Sequence, residues 1–218
     1  NKNVKIELDR DILFNTDQVV YNKLNDEISI NSFSKIKDNF GNKISSKNLK
    51  FIIDKKLLKI NSVEMIDQQK NKYFFDKAII DLKKNEIIGD GVKIDFSKGS
   101  FGNNENDPRL RGNYLYNNNN LSIIKKGVFT TCKKNQDKCP PWQFKAQEIK
   151  HDKNKKTIYY KNAWLEIYDK PVVYFPRFFH PDPTVKRQSD FLMPKFESSS
   201  SLGDSISIPY FKVISESK

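Results

Sequence analysis

Histidine, cysteine, tryptophan and methionine each occur only twice in the 218 residues. The two histidines, His151 and His180, have no flanking ligand cluster, so a histidine-based metal centre is excluded and a nucleophile–base pair is hard to assemble. His151 reads as a solvated turn residue, and His180, just before Pro181, as structural. The cysteines, Cys132 and Cys139, lie close together without zinc spacing around them. Glycine is scarce, and no Gly-rich phosphate loop is present. No apolar run approaches the ~18 residues of a membrane-spanning helix. Gly203-Asp204-Ser205 superficially resembles the start of a lipase motif but has no supporting block. The stretch from Asn103 to Asp107 offers oxygens without the spacing of a calcium loop. These gaps lead us to expect no catalytic residue, no metal, no cofactor and no enzymatic activity.

What is abundant is lysine, asparagine and isoleucine. The net charge is +12, yet hydrophobic residues still make up 37%. The lysines are spread along the chain and not gathered into one stripe, so no nucleic-acid partner is expected. A solvated lysine-rich surface with a modest attraction to anionic partners, phosphorylated lipids included, fits better. The chain starts at Asn1, shows no signal peptide, and stops at Lys218 inside a strand-like pattern, Ser205 to Phe211. We therefore expect a piece of something longer.

Almost nothing has helical period. Val4, Ile6 and Leu8 alternate with Asn3, Lys5 and Glu7, and Val92, Ile94 and Phe96 alternate with Lys93, Asp95 and Ser97. Period 2 is the signature of strands. The strands come in a recurring unit of apolar strand, polar turn and apolar strand. It appears at Val19 to Ile30, Phe51 to Ile60, Ala78 to Gly89 and Glu148 to Tyr159. One hairpin cannot bury its own apolar face, so stacking must supply the core. Gly99 to Asn120 reads as long loops around a short segment, and Ser198 to Gly203 as a turn between the two last strands. A change of composition near Pro181 suggests a boundary between residues 1–180 and 181–218.

The last third is the most specific text. It holds Cys139-Pro140-Pro141-Trp142-Gln143-Phe144-Lys145-Ala146 and then Thr157-Ile158-Tyr159-Tyr160-Lys161-Asn162-Ala163-Trp164. Pro171-Val172-Val173-Tyr174-Phe175-Pro176 and His180-Pro181-Asp182-Pro183-Thr184 through Met193-Pro194 follow. From about Gly127 to Phe211 this resembles the LptD (OstA/Imp) family of LPS-assembly proteins, in the form found in alphaproteobacteria. The hairpins before it resemble the OstA-type periplasmic domain of the same family. Asp190 and Glu197 depart from the glycines common there.

The resemblance implies an all-β chain: an OstA-type periplasmic β-jellyroll of stacked antiparallel hairpins over 1–180, then the first strands of an outer-membrane β-barrel. It implies lipopolysaccharide as cargo, the bridge protein LptA as donor, and the lipoprotein LptE as barrel plug. The outer-membrane barrel assembly machinery would be a further partner. The location would be the outer membrane, with this portion mainly periplasmic. An apolar interior would hold acyl chains, lined by Ile6, Leu8, Ile28, Ile30, Ile53, Leu58, Ile60, Ile80, Val92 and Ile94, positions that an ordinary β-core would fill equally. Within the family a cysteine at the position of Cys132 joins the distant end of the barrel, while Cys139 offers a local disulfide instead. Pro194 and Pro209 match prolines of the first barrel strands, which implies a lateral gate, although a proline at a strand end or bulge reads the same. Two other readings stay open: a soluble OstA-type bridge protein, and a basic polyanion-binding β-protein.

Overall fold

The computed structural model describes residues 4–8, 12–38, 40–100, 104–134, 140–181, 185, 190–191, 195–199, 201, 203–207 and 209–212. Among these there is no helix. The strands are β1 (Val4–Leu8), β2 (Ile12–Thr16), β3 (Val20–Asn22), β4 (Glu27–Ile30), β5 (Ser34–Lys37), β6 (Lys43–Ser46), β7 (Asn48–Ile52) and β8 (Leu57–Ile66). They continue as β9 (Lys72–Asp81), β10 (Glu86–Asp95), β11 (Arg109–Asn117), β12 (Leu121–Thr130), β13 (Trp142–Asp152), β14 (Thr157–Ile167) and β15 (Lys170–Pro181). Last come β16 (Asp190–Phe191), β17 (Lys195–Ser199), β18 (Gly203–Ser207) and β19 (Tyr210–Phe211). The first fifteen form one antiparallel sheet, while β16 pairs with β19 and β17 with β18 as separate ladders.

The four recurring units are the hairpins β3–β4, β7–β8, β9–β10 and β13–β14, and they share one device. Each turn ends on a residue with left-handed backbone: Asp26 (φ 47°), Lys56 (φ 51°), Asn85 (φ 54°) and Lys156 (φ 49°). A left-handed residue after a tight turn restores the strand twist, and Asp and Asn tolerate it best. Aspartates cap the turns. The Asp81 carboxylate accepts from the backbone N–H of Lys83 and Lys84, and Asp152 from that of Lys155. Neighbouring turns bond to each other, as Leu82 N–H does to the Lys56 carbonyl at 3.0 Å and Lys153 N–H to the Asn120 carbonyl at 2.9 Å.

A second irregularity bends the sheet. In the long strands the inward–outward alternation slips once, so that two residues in succession are exposed: Asn61 and Ser62, Asp76 and Lys77, Lys125 and Lys126, Lys161 and Asn162. The register is the same immediately on either side of the slip, but the pair at the slip itself is missing; β14–β15 shifts register separately, at Leu165/Glu166. The skipped positions line up from strand to strand as Ser62, Asp76, Gly91, Asn113, Lys126, Gln147, Asn162 and Pro176. Left-handed backbone recurs on alternate strands along this line, at Ser62 (φ 51°), Gly91 (φ 63°), Lys126 (φ 50°) and Asn162 (φ 47°). Local breaks in pairing bend a strand. Breaks aligned from β8 to β15 crease the whole sheet. Pro176 falls on the crease, so its missing N–H removes no paired rung from the β14–β15 ladder.

At β8 the crease becomes a split. Leu57–Asn61 pair with β7, and Glu64–Ile66 pair with β6. One wall therefore continues as β7, β4 and β3, and the other as β6, β5, β2 and β1. The inward side chains of the two walls meet. The Phe75 ring of one wall fills the space over Gly89 of the other, where a Cβ would lie 2.3 Å from the ring. Phe144 packs on Tyr160 and Phe178 across the fold, with ring centroids 5.9 and 5.8 Å apart. This is the expected jellyroll of stacked antiparallel hairpins.

Three local expectations need correction. Arg109–Asn117 is a full strand, hidden in the sequence because Gly112 contributes no side chain to the alternation; a Cβ there would lie 2.5 Å from Ile124. Ile53 opens the β7–β8 turn and is only half-buried. His151 lies within β13, half-buried, with Nε2 shielded from solvent.

Gly91 tests the crease. Its φ of +63° disfavours any side chain, and a Cβ would lie 2.0 Å from the Asp76 carboxylate. Gly91→Ala is expected to lower stability in urea unfolding by about 1–3 kcal/mol. A neutral result would mean that the bend does not depend on this residue.

Candidate functional site

The inward face runs without interruption across the sheet. On the wall that carries β3, β4 and β7, successive partners lead from Ile30 through Leu49, Ile60 and Ala78 to Ile149, Tyr160 and Phe178. Of the residues expected to line the interior, Ile28, Ile30, Leu58, Ile60, Ile80, Val92 and Ile94 are all buried and belong to one hydrophobic cluster. Ile30 and Leu58 have no exposed surface at all. Ile53 packs against the edge of this cluster. Ile6 and Leu8 fall in β1, but their side chains lie outside the described residues.

The sequence reading missed the other half of the interior. From β12 to β15 the lining turns aromatic, with Phe129, Trp142, Phe144, Tyr160, Phe175 and Phe178 in linked ring contacts. Here the interior opens. Phe175 and Phe178 are half-buried and Val173 is 39% exposed, all on β15, the last strand of the sheet. A signal was available: Pro171 to Phe175 abandons alternation for a continuous apolar run.

The end of the interior nearest the hairpin turns is polar. Asn117, Ser122, His151, Ile158 and His180 are successive partners across β11 to β15. The Pro181 carbonyl lies 2.7 Å from His180 Nδ1 and can only accept, so Nδ1 carries the proton. His180 Nε2 then accepts from the Tyr160 hydroxyl at 3.0 Å. Burial pushes the Tyr160 hydroxyl well above the ordinary tyrosine range. Lys153 reaches in from the last turn and donates to Asn117 Oδ1 at 2.9 Å, its pKa lowered by burial. The interior is thus apolar along its length with polar groups at one end. Among the described residues no group of three His, Cys, Asp or Glu side chains could hold a metal ion.

Cys132 is a half-buried free thiol whose Sγ lies 3.7 Å from the Trp142 carbonyl, and Cys139 lies outside the described residues. Pro194 also lies outside them. Pro209 stands between β18 and β19, in neither strand, and so interrupts no ladder. A concavity of about 520 Å³ lies at β7 to β10, where the exposed side chains of Lys50, Lys59 and Lys77 stand beside Ile79 and Ile88.

No protein-family model matches the chain. The LPS-assembly protein LptD of Francisella tularensis subsp. novicida is 40% identical over 70 residues, 32% of this chain and 8% of that protein. Over this stretch the chain is similar to LptD. LptD of Pseudomonas fluorescens is 31% identical over 133 residues, 57% of this chain, and LptD of Idiomarina loihiensis 28% over 160 residues, 62% of this chain. The chain spans only 14% and 20% of the length of these two LptD proteins.

The buried Tyr160 sets a pH dependence. The unfolded tyrosine ionises near pH 10, whereas the folded one holds its proton to higher pH, so the stability linked to it is present below pH 10 and lost above. The expected loss is about 1.4 kcal/mol per pH unit above pH 10. In Tyr160→Phe the decline should be shallower by that amount, read by urea unfolding from pH 9 to 11. An identical decline in both proteins would contradict the buried, protonated Tyr160.

Proposed function

We propose that the chain is the lipid-receiving part of a lipopolysaccharide assembly protein of the outer membrane. It accepts lipopolysaccharide from a periplasmic bridge formed by LptA and passes it to a β-barrel plugged by LptE and inserted by the barrel assembly machinery. The portion described here is mainly periplasmic, with no catalytic step. Residues 1–180 act as the jellyroll, and residues 181–218 as the junction and first barrel strands. The observation that carries this reading is the likeness to LptD together with an interior of two facing apolar walls.

The division of the interior gives the reading its mechanics. Acyl chains need apolar area and no directional chemistry, which rows of Ile, Leu, Val and Phe supply. The aliphatic half is closed when empty, so a guest must part the walls at the crease. The aromatic half is already open along β15, the strand that leads into residues 181–218. Lipid would leave by that side.

Photo-crosslinking in cells tests this directly. A benzophenone side chain at Phe178 or Val173 of the full-length protein should capture lipopolysaccharide, and one at Leu58 should do so less often. Outward positions such as Lys59 and Lys93 should capture none. Capture confined to the outward positions would overturn the proposal.

A further inference from the structure

The outward face of β13 to β15 differs from the lysine-rich surface elsewhere. Trp164 and Tyr174 are register partners, 4.9 Å between ring centroids, and Tyr159 and Phe179 are partners at 6.0 Å. All four rings are more than a third exposed, and Phe179 more than half. The crease runs between the two aromatic pairs, which therefore lie on the outer sides of the two walls; Lys161 and Arg177, themselves register partners, stand at the ridge between them, and Lys150 lies beside Tyr159. The acids of this face are already engaged: Glu148 pairs with Lys125, and Glu166 with Lys145 at 3.6 Å. Lys150, Lys161 and Arg177 have no acidic partner among the described residues.

We infer that this ridge, the outer side of the crease at β13 to β15, docks on the surface of an anionic phospholipid leaflet. Exposed aromatic pairs grouped along one ridge mark an interaction surface. Amphipathic rings beside unpaired cations match the headgroup level of a bilayer, where the rings sit at the boundary and the cations meet phosphates. A protein partner fits less well, because lysine is depleted from protein interfaces. Stacking of nucleobases fits less well too, because each ring is tilted by about 40° against its neighbour and offers no parallel platform. The outermost strand carries prolines at 171, 176 and 181, three positions without an N–H, which makes this edge a poorer template for a further strand. The surface is on the opposite face of the sheet from the interior, so the inference stands whether or not the interior carries lipid.

The two tryptophans make the test specific, since Trp142 is 3% exposed and Trp164 is 40% exposed. Phosphatidylcholine vesicles with and without phosphatidylglycerol, each containing brominated lipid, serve as the probe. The anionic vesicles are expected to quench and blue-shift Trp164, and the neutral ones much less; Trp164→Phe should leave only the unquenched Trp142. The Lys161→Gln/Arg177→Gln double variant should partition roughly 30-fold more weakly, taking about 1 kcal/mol per surface cation. Phe179→Ser, at an exposed ring, should weaken binding independently while the circular dichroism stays unchanged. No quenching by anionic vesicles, or equal partitioning of the double variant, overturns the inference. So does a lipid-free dimer in sedimentation that the double variant abolishes, or a Trp164 response to a single-stranded oligonucleotide alone.

Discussion

A single antiparallel sheet with one apolar face has to find a cover for it, and in this chain the cover is the sheet itself. Folding along the crease brings two walls together and removes their inward side chains from water. Each large apolar side chain so buried contributes about 1.5–3 kcal/mol. Against this stand the left-handed residues on the line, of which Ser62, Lys126 and Asn162 carry side chains, at a cost on the order of 1–3 kcal/mol each. The cluster that they allow includes Ile30, Leu58, Phe51, Val63, Leu115 and Leu165, all at 2% exposure or less. Burial wins by a wide margin, which is why the bend is tolerated at non-glycine positions.

The crease also divides the molecule mechanically. Pairing is interrupted there on every long strand, whereas on either side the ladders run on, apart from a bulge at Leu165/Glu166 in β14–β15. Motion that separates the walls therefore breaks inward packing but few backbone hydrogen bonds. The two ends of the interior respond differently. Toward β4 and β7 the inward side chains have almost no exposed surface, while toward β15 Val173, Phe175 and Phe178 are partly open to solvent. The interior combines an apolar floor, an open side along β15, and a polar margin at Tyr160, His180 and Lys153.

Much of this was legible in the sequence. Period-2 alternation marked β1 and β10, and the recurring strand–turn–strand unit marked the hairpins β3–β4, β7–β8, β9–β10 and β13–β14; Ile28, Ile30, Leu58, Ile60 and Ile80, named as lining from the resemblance, are buried. The aspartates and asparagines of the turns marked the hairpins because their side chains cap the backbone there. The crease was not legible. A slip of one residue looks like noise in any single strand, and it gains meaning only when eight strands are placed in register. Strand β11 escaped for the related reason that Gly112 and Asn113 break the alternation at the crease. The aromatic end of the interior escaped because β15 is apolar on both faces, so periodicity could not tell lining from surface. His151 looked like a turn residue because hairpin ends and turns share the same polar composition.

The distance between the walls tests this arrangement most directly. Lys50 on β7 and Lys35 on β5 are exposed residues on opposite walls, suited to spin labels that leave the interior untouched. Pulsed electron resonance should give one distance for the empty protein and a longer one when lipopolysaccharide is added. An unchanged distance with lipopolysaccharide demonstrably bound would contradict an interior that opens along the crease.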